Sequence, residues 1–249
     1  MKHRYFIELM YDGTAYHGWQ IQPNSSTVQE QINLSLSTVL GEEINVVGAG
    51  RTDTAVHAKQ MFAHFDSAVE FGMDELVFKL NSFLKNDISI VRVFKVEDSA
   101  HSRFDAVSRK YEYIIHKNKN PFLINKAWHF HRNLDIDAMN EAAKFLLNYT
   151  DFTSFSKLHT QTKTNNCTIT FAKWKEHDDT LIFSIEADRF LRNMVRAIVG
   201  TLVAVGEKKL SIQDFIEIIE SKDRSKAGVS VPAHGLYLVK VEYPKSIIS

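Results

Sequence analysis

The chain has 249 residues, 44% of them apolar and 24% charged, which suffices for one large core or two modest ones and argues against disorder. Its 30 basic and 30 acidic side chains cancel, so net charge alone names no polyanionic or membrane partner. One cysteine, Cys167, allows no internal disulfide, and the longest apolar run, Ala197 to Val205, is too short to span a bilayer, so a soluble protein of the reducing cytoplasm with no membrane association is expected.

In chain order, "RYFIELMY" reads as a strand, and the charges at Glu8 and Asp12 make this start wrong for a signal peptide. "TVQEQINLSLSTVL" has the period of an amphipathic helix with Ser26 or Thr27 as its cap. "INVVGA" and "KQMFAHFD" follow as strands, "MDELVFKLNSFL" as a helix and "ISIVRVFKVE" as a strand, an order of β-α-β-β-α-β. After the polar segment "DSAHSRFDAVSR" the order recurs. It runs through strand "KYEYIIHK", helix "IDAMNEAAKFLLN", strands "CTITFAKWKE" and "TLIFSIEA", helices "FLRNMVRAIVGTLVAVG" and "IQDFIEIIES", and strand "LYLVKVEY". Two such units make an α+β protein of two ferredoxin-like (βαββαβ) halves with antiparallel sheets, residues 1–105 and 106–249, each leaving one sheet face open. RNA-recognition domains stack bases on such a face.

Charge is unevenly spread. Between His101 and Asn133 seven Lys or Arg residues face two acids, Asp105 and Glu112, whereas acids gather in Glu70 to Glu75 and Asp214 to Glu220. A local basic face suits a polyanionic partner, although plain surface asymmetry gives the same pattern. Phosphate-loop and zinc-protease motifs are absent, paired Cys-x-x-Cys is absent, and Gly48-Ala49-Gly50 lacks the third glycine of a dinucleotide fingerprint. His129 and His131 alternate on an apparent strand between Trp128 and Phe130 without an evident third ligand, so core or groove histidines are expected rather than a metal site. Cys167, in a β-branched run, reads as a buried small hydrophobe.

Three features carry the chemistry. "GAGRTDTAVHA" puts Arg51 and Asp53 in a loop between two strands, where they serve either a hydrogen-bonded turn or a presented carboxylate. In "FLRNMVRAIVG", Arg192 and Arg196 stand four apart, as on one helix face, and Arg196 sits among Val195, Ala197 and Ile198. A guanidinium in such company needs an anionic partner, and Asp53 is the natural candidate. Finally, period two sets Tyr111 and Tyr113 on one face of a strand beside Arg109 and Lys110, an arrangement for base stacking if that face is open and for a core if it is not.

Together with "YDGTAYHGWQIQPNSSTVQEQI", "AHSRFDAVSRKYEYII", "DFTSFSK" and "AGVSVPAHGLYLVKVEY", these stretches resemble the tRNA pseudouridine synthases of the TruA type along nearly the whole chain. The resemblance implies an enzyme with a pseudouridine synthase-like fold that isomerises uridine to pseudouridine in the anticodon stem-loop of tRNA. It further implies no cofactor or metal and a homodimeric assembly. By position it implies that Asp53 is the catalytic carboxylate, that Arg196 is its salt-bridge partner, and that Tyr111 packs on the target base. Arg51, His57 and the Gly18-Trp19-Gln20 segment would support the loop or contact RNA, with Arg192 in a supporting place. The family usually reads Ala-Gly after its Asp, and here Thr54-Ala55 stands instead. If that position has positive φ, alanine costs about 1 kcal/mol. "AGVSVPAHG" also departs from the usual Thr-containing form, with Ser230 keeping a hydroxyl. The rival readings are a non-catalytic RNA-binding protein using the same sheet and a metal-dependent hydrolase using Asp53, His57 and the His129/His131 pair.

Overall fold

The computed structural model describes residues 2–157 and 164–248. They form an α+β architecture in two compact units, Met1–Ser108 with Tyr237–Ser249, and Arg109–Leu236.

In the first unit, strands β1 (His3–Tyr11), β2 (Val47–Gly48), β3 (His57–Ser67) and β4 (Ile88–Lys95) alternate with helices α1 (Val28–Leu40) and α2 (Met73–Phe83). β1 is central, antiparallel to β3 through Phe6↔His64 and Ile7↔Ala63 and to β4 through Phe6↔Phe94. β2 pairs antiparallel with β3, Val47 opposite His64. The C-terminal strand β9 (Leu236–Glu242) joins β3 in parallel at His57↔Tyr237. Five consecutive residues of β1, Tyr5 to Leu9, are buried, so this strand is covered on both faces. α1 buries Val28, Ile32 and Leu36, spaced by four as one helical face requires. Its ends are fixed by the Thr27 hydroxyl, which accepts the Glu30 N–H, and by Gly41 at φ 69°.

In the second unit, β5 (Ser108–His116) is antiparallel to β8 (Thr180–Ala187), which is antiparallel to β7 (Ile169–His177), and the two-residue β6 (Trp128–His129) lies parallel to β5. Helices α3 (Ile136–Phe145), α4 (Met194–Gly206) and α5 (Ile212–Ser221) complete it. α4 is buried nearly throughout, as its almost unbroken apolar sequence demands, whereas α5 buries one stripe, Phe215, Ile218 and Ile219, behind a capping box of Ser211 and Asp214. Cys167 is buried, and burial pushes its thiol up to about 12.

Several expectations need correction. The strand "INVVGA" shrinks to β2, because Ile44 and Val46 are buried ahead of it in irregular backbone. The helix foreseen from Phe190 begins at Met194, since Asn193 holds φ 67°, a left-handed conformation that stops propagation toward the N-terminus. Arg192 therefore lies outside the helix and shares no helical face with Arg196. Of the two readings left open for Tyr111 and Tyr113, the face they share on β5 is the packed one: in register they oppose Ile185 and Phe183, which are fully buried, while Lys110, Glu112 and Ile114 oppose the half-buried Glu186, Ser184 and Ile182. β6 ends at His129, and both His129 and His131 are exposed, so they are not core histidines on one strand.

Candidate active site

The segment between β2 and β3 is held from below by the chain around residue 18. Gly18 has φ 88°, and a Cβ there would collide with the Thr52 carbonyl oxygen, so only glycine permits this approach. Next to it, Trp19 donates its backbone N–H to the Thr52 carbonyl at 3.2 Å, while its buried indole packs against Gly48, where a Cβ would meet the ring. Thr52 is itself buried and shares a 2.8 Å hydrogen bond with the Tyr11 hydroxyl. The residue preceding Asp53 is thus pinned to β1 and to the Gly18-Trp19 segment.

After Asp53 the chain reverses. Val56 donates its N–H to the Asp53 carbonyl at 3.1 Å, and Ala55 stands third in this turn at φ 62°. A turn with positive φ at that position favours glycine. Ala55 N–H is bonded to the Tyr16 carbonyl at 3.2 Å, which ties the turn to the same N-terminal segment as Thr52. Asp53 is half-buried and Arg51 exposed.

His57 begins β3 and is 2% exposed. Its Nδ1 lies 3.0 Å from the Gly13 N–H and 3.0 Å from Asp12 Oδ1, within reach of one donor and one acceptor. The ring stacks on Tyr237 with centroids 4.6 Å apart and planes 21° apart. Burial, and then the Asp12 carboxylate, push the Tyr237 phenol up to about 12. His57 therefore locks the base of the loop against β9, and Trp19 fixes its other side. Gln20 is exposed beside Arg51. The first unit brings Trp19, Gln20, Arg51, Asp53 and His57 into one neighbourhood.

The second unit holds Tyr111, Arg192 and Arg196. Tyr113 is fully buried and donates its hydroxyl to the Pro232 carbonyl at 2.8 Å, and burial raises its pKa. Tyr111 is half-buried at the rim of the same face, edge-on to Phe190 with centroids 5.1 Å apart and planes at 86°. Arg196 is half-buried on the first turn of α4, where its Nε donates to the Val231 carbonyl at 2.7 Å and Val231 N–H returns a bond to the Arg196 carbonyl at 3.2 Å. Ser230 accepts from Asn193 Nδ2 at 2.6 Å and from Arg224 Nη2 at 3.0 Å. Gly200 and Gly228 allow this segment to lie directly on α4. Arg192 is exposed, its carbonyl accepting the Lys157 N–H at 3.1 Å.

Sequence reasoning overlooked Tyr11 and Asn193, whose roles come from contacts distant in sequence, and Arg224, which bonds Ala227, Gly228 and Ser230 a few residues on. It also overlooked the pairing of Ser102 with His64, although "AHSRFDA" pointed to the segment: Ser102 N–H is bonded to His64 Nδ1 at 3.2 Å, and Ser102 Oγ donates to the Val47 carbonyl at 2.6 Å. The basic stretch from His101 to Asn133 is partly neutralised, since Lys117 pairs with Glu176 at 2.8 Å and Arg132 with Glu207 at 2.6 Å. Among the described residues no three His, Cys, Asp or Glu side chains gather as metal ligands, and no helix is long and apolar enough to cross a membrane.

A family model described as tRNA pseudouridine synthase matches residues 142–244. The chain is 54% identical to the tRNA pseudouridine synthase A of Bacteroides fragilis over 246 residues, 98% of each chain. It is 53% identical to that of Bacteroides thetaiotaomicron over 249 residues, 99% of this chain and 93% of the relative. Against that of Thermoanaerobacter pseudethanolicus it is 41% identical over 239 residues, 95% of this chain and 98% of the relative. Identity of this order over nearly the whole length shows that the chain belongs to the tRNA pseudouridine synthase A family.

Proposed function

We propose that this isomerase converts uridine to pseudouridine in the anticodon stem-loop of tRNA, with Asp53 as its catalytic carboxylate. Family membership carries the reaction class, an isomerisation of uridine to pseudouridine in tRNA. The observation that carries the residue assignment is the fixing of Asp53 from both sides, by Thr52 bonded to Tyr11 and Trp19 and by Ala55 bonded to Tyr16. Such a loop holds a carboxylate in one geometry, which catalysis of a directed bond exchange requires. In the reaction the N1–C1′ glycosidic bond breaks, the uracil turns, and C5 joins C1′; C5 gives up its hydrogen as a proton and N1 takes one up. Asp53 acts either as nucleophile on the sugar or base, or as the base removing a sugar proton.

In this reading Arg196 is the partner that the resemblance implies for Asp53, and Tyr111 packs on the uracil once the nucleotide leaves its stack. Arg51 and Gln20 contact RNA, while Trp19 and His57 brace the loop and Arg192 is a supporting charge. The first half follows a ferredoxin-like plan, with sheet neighbours in the order β4-β1-β3-β2, and the chain order β5-α3-β7-β8-α4-α5-β9 reads as the second. By repeat the halves are residues 1–105 and 106–249. The enzyme works as a homodimer in the cytoplasm, without cofactor or metal.

Mapping of pseudouridine in tRNA incubated with the protein tests the substrate assignment. Carbodiimide-dependent stops in primer extension are expected within the anticodon stem-loop. Stops confined to another arm would overturn that site while leaving the reaction class intact, and stops nowhere would favour an RNA-binding protein without catalysis.

A further inference from the structure

Beside the Asp53 loop the first unit carries a cavity of about 180 Å³. Its floor is the edge of Trp19, its walls include Val47 and the open backbone at Gly50, and Gln20, Arg51 and Arg103 stand at its rim. The lining holds two guanidinium groups and no carboxylate. Both arginines and Gln20 are exposed residues. We propose that this cavity receives a backbone phosphodiester of the tRNA strand next to the target uridine, held between Arg51 and Arg103. The tRNA substrate in this assignment rests on the function proposed above; the anion class rests on the lining alone.

The segment bearing Arg103 is built as firmly as the Asp53 loop. Arg103 N–H is bonded to His101 Nδ1 at 3.1 Å, and its guanidinium stands 5.8 Å from the Phe104 ring centre. The preceding residue, Ser102, donates its hydroxyl to the carbonyl of Val47, a wall of the cavity, and accepts the Tyr243 hydroxyl at its own carbonyl at 2.5 Å. Gln29, also in the lining, ties two segments together, its Oε1 accepting the Ile21 N–H at 2.9 Å and its Nε2 donating to the Val46 carbonyl at 2.8 Å. Two arginines on separately anchored segments, both lining one small hollow, present donors of the kind that phosphate oxygens take up. Since Arg51 is two residues from Asp53, a phosphate seated here would set the register of the strand against the carboxylate.

The test compares wild type, Arg103→Gln and Arg103→Lys in tRNA binding over a salt series, with melting temperatures as a folding control. Loss of one phosphate contact lowers the slope of log Kd against log salt by about one and weakens binding about fivefold near physiological salt. Arg103→Gln is expected to show both, and Arg103→Lys to keep most of the affinity. In parallel, wild type is given anticodon stem-loops with one neutral methylphosphonate walked along the strand. One position flanking the target uridine is expected to weaken wild type and leave Arg103→Gln unmoved. Unchanged affinity and slope in Arg103→Gln, or no sensitive position for the wild type, would overturn the assignment. So would inhibition by inorganic phosphate at matched ionic strength without any sensitive methylphosphonate, which would mean a free anion as occupant. A sensitive position in a protein that forms no pseudouridine would uphold the cavity and refute the synthase reading, so the two failures are distinct.

Discussion

Ala55 donates its N–H to the Tyr16 carbonyl at 3.2 Å while holding φ at 62°, so the turn beyond Asp53 places an L-residue in a conformation that glycine adopts without penalty. Left-handed backbone costs alanine about 1 kcal/mol, partly offset by glycine's greater freedom in the unfolded chain. Ala55→Gly is expected to raise the unfolding free energy by about 0.5–1 kcal/mol in a denaturant titration. A loss of stability would show that the turn is unstrained.

Gly18 is the opposite case. Gly18→Ala must push the Thr52 carbonyl away and adopt φ 88°, and is expected to cost about 2 kcal/mol or more and to lower turnover together with stability. Thr52→Val removes the partner of the buried Tyr11 hydroxyl at a cost of about 1–3 kcal/mol. Tyr11→Phe in the same background should recover part of that loss, which a double-mutant cycle reads directly.

The acid limb of stability is expected to report His64. Burial first, then the Arg4 and His101 charges, depress its pKa from 6.5 to about 4, and this agrees with a neutral ring accepting the Ser102 N–H. A histidine with a depressed folded pKa contributes stability that is complete above pH 6.5 and declines as pH falls toward 4, because the unfolded chain binds the proton first. His101, whose ring meets that of His64 at 4.6 Å, is depressed by burial in the same direction. His64→Asn offers an amide oxygen in place of Nδ1 and does not titrate, so its stability should vary less between pH 7 and 5 than that of the wild type. Parallel profiles would assign the acid limb to other groups.

Much of this architecture was legible in the chain, and the exceptions have physical causes. The helices α1, α2 and α5 and the strands β1, β4 and β8 follow from period and caps, since Val28, Ile32 and Leu36 or Leu181, Phe183 and Ile185 can face one way only in one type of element. Period also placed Tyr111 beside Tyr113 but could not say that their face is the packed one, which depends on Phe183 and Ile185 across the ladder. Arg192 was misplaced for a local reason, the left-handed Asn193, which a spacing rule does not see. At the site, Arg51 and Asp53 were legible as a loop between strands, whereas His57 already belongs to β3, which begins two residues before the expected strand; the positive φ at Ala55 was legible as a departure from the family's glycine. The supports from Tyr11, Tyr16 and Tyr237 come from contacts across the fold that sequence spacing does not encode.

The segment over α4 is expected to tolerate Ser230→Thr and to resent Ser230→Ala. Threonine keeps the acceptor for Asn193 and Arg224, whereas alanine leaves both donors short of a partner, at about 1–2 kcal/mol. Gly200→Ala would drive a methyl group into the Val229 carbonyl and is expected to be worse than either. Thermal melts of the three variants give the order.

The claim that Asp53 is the catalytic carboxylate is tested most directly by tritium release from tRNA labelled at C5 of uracil, because C5 must lose its hydrogen when it bonds to C1′. Wild type is expected to release the label, and folded Asp53→Ala and Asp53→Asn to release none while still binding tRNA. Release by either variant at the wild-type rate would contradict the assignment and move the chemistry to another group.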